Sequence, residues 1–222
     1  MMTKQEQQEW IRARQPEQIE ERRRAILATA RDMLAESDFR DLSLNELARQ
    51  AGFTKSNLYR YFGSMEEIFL EIYAEEVGQW LSAASTGVQA LGNRPDAGRI
   101  ADALATALAG RSLLLKLMPM LTGVLERNAG EEAILRMKLQ WTADMQVLLA
   151  ALASARPDLG NGQLTVLMQG YYGLCMGFSG TCNTGEVVDR VLEHPELQYM
   201  KVDIHTLLSG TLAALIRGLE QQ

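Results

Sequence analysis

The stretch from Leu44 to Gly63, which reads LNELARQAGFTKSNLYRYFG, constrains the fold of this chain more than any other segment. Ala48 and Gly52 are four residues apart and Leu58 follows six residues later, which is the spacing of a helix-turn-helix unit. A small residue such as Ala48 suits the point where two helices cross steeply, and Gly52 suits a backbone position with positive φ. The stretch therefore predicts two short helices joined by a tight turn, with an ordinary helical hairpin as the alternative.

The side chains that this unit leaves exposed are of the kinds that contact nucleic acid. Hydroxyl, amide, cationic and aromatic groups bind phosphates and base edges. Asn57 can pair with adenine and Arg60 with guanine, although either could bind a phosphate instead, and we expect Ser43 and Tyr61 to touch backbone phosphates. The candidate DNA-contacting residues are Ser43, Thr54, Lys55, Ser56, Asn57, Tyr59, Arg60 and Tyr61.

A longer run, from Arg24 to Phe69, resembles the N-terminal DNA-binding domain of the TetR family of transcriptional regulators. It reads RAILATARDMLAESDFRDLSLNELARQAGFTKSNLYRYFGSMEEIF and covers a three-helix domain and the start of a fourth helix. The resemblance implies a dimeric transcriptional regulator, most often a repressor, in which two C-terminal helices of each subunit form a four-helix bundle. Two residues depart from the family pattern. Asp38 stands where the family usually has Gly, although Asp tolerates the left-handed conformation, and Met65 stands where a phosphate-binding Lys is usual.

The charge distribution agrees with a DNA-binding N-terminus, although the net charge of the chain is −6. Residues 1–62 hold 11 basic and 10 acidic residues, whereas the remainder holds 11 basic and 18 acidic residues. Between Gln50 and Gly63 there are two basic residues and no acid. The acidic remainder either restricts DNA contact to the proper face or only aids solubility, and the sequence leaves both interpretations open.

Helical periodicity runs through the whole chain, which predicts an all-α fold. Pro16 suits the first turn of a helix that runs to about Glu36, Ser43 and Glu46 form a capping box, and Thr54 suits the N-cap of the third helix. A long fourth helix should run from Ser64 to near Leu91. Further helices are predicted near 97–109, 111–128 (kinked by Pro119), 131–155, 163–181, 186–193 and 203–220.

Two domains follow from this organisation. We expect residues 1–63 to form the helix-turn-helix DNA-binding domain, with residues 1–16 as a polar arm. Residues 64–222 should form a larger helical body for ligand binding and dimerisation.

Two helices near the C-terminus are apolar over more than one face, which predicts a homodimer. A two-fold dimer would recognise an inverted-repeat operator in double-stranded DNA. Burial of these helices within one subunit is the alternative. The residues expected at the dimer interface are Gly173, Gly177, Leu208, Leu212 and Leu215.

Methionine and aromatic side chains in the body are suited to binding a small hydrophobic ligand, because such side chains adapt to varied apolar shapes. The same residues at helical spacing could instead be plain core. The candidate ligand-binding residues are Met120, Trp141, Met145, Tyr171 and Tyr172.

Catalytic, metal and membrane functions find little support in the sequence. There is no GxGxxG, GxxxxGK[ST], HExxH or GxSxG motif, so we expect no enzyme, no catalytic residue and no cofactor. Cys175 and Cys182 would lie roughly 10 Å apart on one helix, too far for a disulfide, and with only two His a metal site is not expected. No signal peptide is visible and no apolar run reaches about 18 residues, so we expect a cytoplasmic protein without a membrane partner.

The favoured interpretation is a repressor released from its operator by a small, mostly hydrophobic ligand. The alternatives are a regulator without a small-molecule ligand and a helical enzyme or carrier.

Overall fold

The computed structural model describes residues 4–182 and 185–221, without the side chains of residues 4–16 and Glu186. The described part is all-α and contains no strand, as the sequence predicts. Its helices are α1 (Lys4–Glu36), α2 (Leu44–Gln50), α3 (Lys55–Leu58), α4 (Met65–Ala90), α5 (Ala97–Ala109), α6 (Ser112–Leu117), α7 (Glu126–Asn128), α8 (Glu131–Ala155), α9 (Asn161–Cys182), α10 (Glu186–Val191) and α11 (Ile204–Leu219).

The prediction that α1 begins at Pro16 is wrong, because the helix begins at Lys4 and Pro16 lies inside it. The residues that precede Pro16 are mainly Glu, Gln and Arg, which are good helix formers. They extend the helix upstream although the proline removes one backbone hydrogen bond. Residues 1–3 of the predicted polar arm lie outside the described residues.

Side-chain caps start α2, α3 and α4 where the sequence predicts them. The hydroxyl oxygens of Ser43, Thr54 and Ser64 accept hydrogen bonds from the third backbone N–H of their helices, at 3.2, 3.3 and 3.1 Å. Gly52, with φ of 73°, makes the turn between α2 and α3. These local signals confirm the helix-turn-helix.

The turn before α2 differs from the expectation for Asp38. Its φ is −76°, which is extended rather than left-handed backbone. Its carboxylate instead accepts a hydrogen bond from the backbone N–H of Arg40 and caps a short 3₁₀ turn, Phe39–Asp41. The Asp38 side chain thus stabilises the turn through a hydrogen bond, whereas glycine would do so through its backbone conformation.

Helix α4 forms the centre of the molecule and packs against α1, α5 and α8. Its 26 residues extend over roughly 39 Å at 1.5 Å per residue. Phe69, Tyr73 and Trp80 are buried along it. The indole N–H of Trp80 donates to the Tyr171 hydroxyl at 2.7 Å, and that hydroxyl donates to the Leu104 carbonyl at 2.8 Å. Helices α4, α5 and α9 are thus joined inside one continuous core.

Pro119 interrupts the helix predicted at 111–128. A 3₁₀ turn (Met118–Met120) and a π turn (Leu121–Leu125) separate α6 from α7, because the proline cannot donate the hydrogen bond that would continue the helix. Just before this break, the Lys116 ammonium donates to the carbonyls of Leu34 and Ala35 at 2.8 and 3.1 Å. Helix α6 therefore caps the C-terminal end of α1.

In the described part of the chain, no single helix is long and apolar enough to cross a membrane. Helix α5 and the segment Ser112–Asn128 are together long and apolar enough by length and composition alone, but the chain bends by 81° between them.

Candidate functional site

Helix α3 presents an exposed polar face next to a buried anchor. Leu58 is 1% exposed and fixes the helix to the domain core, together with Leu47 and Ala48 of α2. The helix ends at Leu58 and continues as a turn. The candidate residues that are exposed on this face are Thr54, Lys55, Ser56, Asn57, Tyr59 and Arg60.

Lys55 and Arg60 are available to bind an anion. Among the described residues, neither makes an ion pair or a side-chain hydrogen bond. Arg49, by contrast, is paired with Glu46, and its guanidinium, with the Gln50 amide, holds the pKa of that carboxyl at about 2. The Glu46 carboxylate consequently does not close the predicted capping box onto Ser43.

Ser43 and Tyr61, the two residues predicted to touch backbone phosphates, differ in their surroundings. Ser43 is engaged in capping α2. Tyr61 is half-buried beside Phe53, and its hydroxyl accepts a hydrogen bond from Arg22 at 3.1 Å. Arg22 is exposed and was not singled out from the sequence, although it belongs to the basic run at residues 22–24. It adds a cation beside Tyr61.

Ion pairs fasten the unit formed by α1, α2 and α3, which we name the reading unit, to α4. The Arg23 guanidinium lies 4.3 Å from the centre of the Phe62 ring and pairs with Glu71. Arg31 pairs with two neighbouring acids of α4, Glu75 and Glu76. Burial raises the pKa of Glu71 despite the neighbouring guanidinium. These contacts hold α1 along the first half of α4.

A clasp of hydrogen bonds joins the start of α4 to the loop before α8. The Glu67 carboxylate accepts the backbone N–H of Gly63 at 2.7 Å and that of Gly130 at 2.9 Å. The Ser64 hydroxyl donates to the Asn128 carbonyl at 3.2 Å. A Cβ at Gly130 would lie 2.7 Å from Glu67 Oε1, so the glycine permits this close approach. The start of α4, which directly follows the reading unit, is thereby tied to the helical body.

An apolar groove of about 300 Å³ lies between α8 and α9. Three of the candidate ligand-binding residues, Trp141, Met145 and Tyr172, line it, and the ring centres of Trp141 and Tyr172 are 5.3 Å apart. The buried Trp141 indole N–H has no hydrogen-bond partner among the described residues. The other lining residues are Thr142, Gln146, Leu149, Thr165, Met168 and Gln169.

The structure corrects the placement of Tyr171 and Met120, which do not line this groove. Tyr171 is 1% exposed and its hydroxyl is used by Trp80 and Leu104. Neighbours on a helix point about 100° apart, so Tyr171 faces the core while Tyr172 faces the groove. Met120 lies half-buried in the 3₁₀ turn that Pro119 creates.

A second, larger cleft of about 650 Å³ lies where α1, α4 and α8 meet. It has an apolar floor that includes Leu70 and Met137, and a charged rim that includes the Arg23–Glu71 pair. No sequence motif indicated this cleft, because it arises from the packing of three distant segments. Its position next to the Glu67 clasp puts it at the junction of the reading unit and the body.

The exposed faces of α9 and α11 carry small residues rather than leucines. No atom lies within 4 Å of a Cβ built on Gly173 or Gly177, so the space above them is open. The placement of Leu208 and Leu212 at the dimer interface has to be corrected, because both side chains are 0% exposed within a single chain and pack toward the core. Leu215 is half-buried against Gly170 of α9.

Family models match nearly the whole chain. A model described as "Bacterial regulatory proteins, tetR family" matches residues 26–72, and one described as "Tetracyclin repressor-like, C-terminal domain" matches residues 74–222. The chain belongs to the TetR family. This membership confirms the resemblance that the residues between Arg24 and Phe69 indicated.

Curated relatives of this TetR-family chain match it over part of its length. An uncharacterized HTH-type transcriptional regulator of Haemophilus influenzae is 44% identical over 59 residues, which are 26% of this chain and 29% of the relative. The HTH-type transcriptional regulator EthR of Mycobacterium tuberculosis is 34% identical over 76 residues, 34% of this chain and 33% of EthR. The chain thus spans about a third of the length of the curated relatives that it matches.

Solved structures of transcriptional regulators share the fold along most of the chain. PfmR from Thermus thermophilus has a TM-score of 0.53 at 17% identity and covers 87% of this chain and 95% of its own. FadR from Bacillus subtilis, solved in complex with stearoyl-CoA, has a TM-score of 0.55 at 17% identity, with coverages of 86% and 96%.

Proposed function

We propose that the protein is a sequence-specific DNA-binding transcriptional regulator, a repressor that a small, mostly hydrophobic ligand releases from its operator. The observation that carries this proposal is the exposed face of α3, where the side chains of Lys55, Asn57 and Arg60 have no hydrogen-bond or ion-pair partner among the described residues. In a member of the TetR family, such a face is suited to the major groove of DNA. The proposal assigns the chain no catalytic role and locates it with DNA in the cytoplasm.

Recognition divides between base contacts and phosphate contacts. The Asn57 amide offers a donor and an acceptor, which is the pattern that reads adenine, and the Arg60 guanidinium suits guanine or a phosphate. Lys55 and the neighbouring hydroxyls suit phosphates. Arg22 and Tyr61 form a hydrogen-bonded pair that extends the phosphate-binding edge. We also propose that the boundary between the DNA-binding domain and the helical body lies after Gly63.

We further propose a homodimer that binds an inverted repeat. The open faces of α9 and α11, with Gly173, Gly177, Gly210 and Ala214 exposed, allow two helices of a second copy to approach closely. A two-fold axis would then place the two α3 helices on successive major grooves.

The proposed ligand site is the groove between α8 and α9. Its lining is mainly apolar and includes four polar side chains, those of Thr142, Gln146, Thr165 and Gln169, which can hydrogen-bond a polar atom of a hydrophobic ligand. The stearoyl-CoA complex of FadR shows that a protein of this fold holds a long apolar chain, which supports the hydrophobic class. A regulator without a ligand is the second candidate, because the groove is open to solvent and small.

The proposed function is tested with promoter DNA taken from beside the protein's own coding sequence. Fluorescence anisotropy should give a dissociation constant at least about 10³-fold lower for this DNA than for random DNA of equal length. Footprinting should protect two symmetric half-sites. Equal affinity for both DNAs would overturn the proposal of sequence-specific binding.

A further inference from the structure

Exposed apolar side chains are concentrated in one short segment of the described chain. Six of the twelve large hydrophobic residues that are exposed lie between residues 187 and 202, a segment that we name the arm. They are Val187, Val188, Val191, Tyr199, Met200 and Val202, with exposures between 38% and 79%. Scattered exposed apolar residues are ordinary, but a cluster of this kind marks an interaction surface.

The arm does not bury these side chains within its own chain. None of the six belongs to the continuous core of the described residues or to the half-buried side chains packed against that core. Val187, Val188 and Val191 fall on one face of α10, at relative positions i, i+1 and i+4. A helix of six residues is not stable alone in water, so this face requires a partner.

The position of the arm indicates which partner covers it. The arm connects α9, which ends at Cys182, with α11, which begins at Ile204. These are the two helices that carry the proposed dimer face. In an interface that pairs α9 and α11 with their copies, the segment that connects the two helices lies at the edge of the same interface.

The proposed dimer face by itself lacks large side chains. Gly173, Gly177, Gly210 and Ala214 allow close approach but contribute little apolar side-chain area. Stable interfaces bury about 1,200–2,000 Å² and depend on a few large anchors, among which Tyr and Met are enriched. The arm supplies such anchors, Tyr199 and Met200, in the segment that connects the two helices of the small-residue face.

We propose that residues 187–202 form a dimerisation arm that packs its apolar face on the C-terminal half of α9 of a second copy of this chain. The two arms would flank the small-residue bundle and provide the anchors that it lacks. This inference rests on the proposed homodimer and adds to it a surface that the bundle alone does not require.

Matched serine variants of the full chain test the arm. Val187→Ser/Val191→Ser removes two apolar anchors of the arm, and Leu135→Ser/Leu139→Ser changes two comparably exposed residues of α8, at 55% and 63% exposure. Ser and Val have similar helix propensities, so α10 itself is little affected. By sedimentation equilibrium, the arm variant should dissociate about tenfold more readily than the unaltered chain, and the α8 variant should not. Unchanged circular dichroism should show that both variants are folded.

A photo-cross-linking amino acid at Tyr199 identifies the occupant directly. In dimers mixed from ¹⁵N-labelled and unlabelled chains, it should give cross-links between chains to peptides of α9. An arm variant that dimerises like the unaltered chain, or cross-links only within one chain, would overturn the arm. Binding of the unaltered chain to phosphatidylcholine vesicles through Tyr199, with dimerisation unaffected in the variant, would do the same. In each of these cases a dimer that still binds promoter DNA leaves the proposed function standing.

Discussion

Individual side chains on α3 carry separable parts of the proposed recognition. The Asn57 amide can discriminate among bases because it presents one donor and one acceptor in a fixed geometry. Lys55 carries a mobile point charge, which favours phosphates of any sequence. Both side chains are exposed and lie within one turn of each other, so mutating each in turn separates specificity from general affinity.

Asn57→Ala should reduce operator affinity by about 1–3 kcal/mol and relax the preference at one base pair, while binding to random DNA stays unchanged. Lys55→Ala should weaken binding to both DNAs and lower the slope of log affinity against log salt by about 1. Anisotropy titrations at several salt concentrations measure both effects. An Asn57→Ala variant that loses equal affinity for operator and random DNA would exclude base reading by Asn57.

Tyr171 and Tyr172 are adjacent in sequence but should respond differently to loss of their hydroxyls. Tyr171→Phe leaves the buried Trp80 N–H and the Leu104 carbonyl without their partner, which should lower the free energy of unfolding by about 1–3 kcal/mol. Tyr172→Phe is the control, because that residue is half-buried at the groove and its hydroxyl serves neither group. Urea unfolding measures both variants. Equal losses would contradict a structural role for the Tyr171 hydroxyl.

At the scale of helices, local signals in the sequence were sufficient for most boundaries. Thr54, Ser64 and Asp96 cap α3, α4 and α5 through hydrogen bonds to nearby backbone, so these helices begin where expected. The face that each helix buries was not predictable in the same way. In α11 the leucines at 208 and 212 face inward and the small residues outward, because packing against α5 and α9 decides the orientation.

Contacts between distant segments left no sequence signal at all. Lys116 reaches the end of α1, and Glu67 reaches Gly130, over sequence separations of 82 and 63 residues. Such pairs involve common residue types without a motif, so only the assembled fold shows them. Of the candidate site, the exposed residues of α3 and three lining residues of the groove were therefore accessible from sequence, whereas the clasp and the larger cleft were not.

The ends of α8 and α11 are joined by an ion pair network that should depend on pH. The buried Arg156 guanidinium pairs with Asp158 and Glu220 and holds the pKa of Asp158 at about 2, below its ordinary value of 3.8. A depressed pKa stabilises the folded state above the unfolded value, and this stabilisation is lost as the pH falls toward the folded value. Asp158→Asn should therefore destabilise the protein at pH 6, and the difference from the unaltered chain should shrink between pH 4 and pH 3. A difference that stays constant over that range would contradict the ion pair.

The clasp at the start of α4 can be tested by neutralising one of two adjacent carboxylates. Glu67→Gln replaces an oxygen that accepts an N–H with an amide that donates, and should lower the free energy of unfolding by about 1–3 kcal/mol. Glu66→Gln changes the same charge in the same helical turn, where no hydrogen bond to the side chain occurs among the described residues. Chemical denaturation compares the two. Similar losses in both variants would mean that the Glu67 hydrogen bonds add nothing beyond the charge near the helix terminus.

Across the whole molecule, α4 is the mechanical connection between the reading unit and the proposed ligand groove. It carries the clasp at its first turn and packs along α8, whose other face lines the groove. A ligand that moves α8 would therefore also move the start of α4 through Glu67 and Gly130. In a two-fold dimer, even a small rotation there changes the separation of the two α3 helices.

This connection predicts a reciprocal effect between ligand and operator. A compound that stabilises the protein in a thermal-shift screen should be titrated calorimetrically with and without operator DNA. An inducer must favour the conformation that does not bind DNA, with a coupling free energy of about 1–3 kcal/mol. Operator must then weaken ligand binding by the same factor, about 5- to 150-fold. Trp141→Ala should abolish the thermal shift because it removes one wall of the groove, while operator affinity without ligand stays unchanged. Equal ligand affinity in the two states would show that the compound occupies the protein without regulating it, because a ligand that does not distinguish two conformations cannot shift their equilibrium.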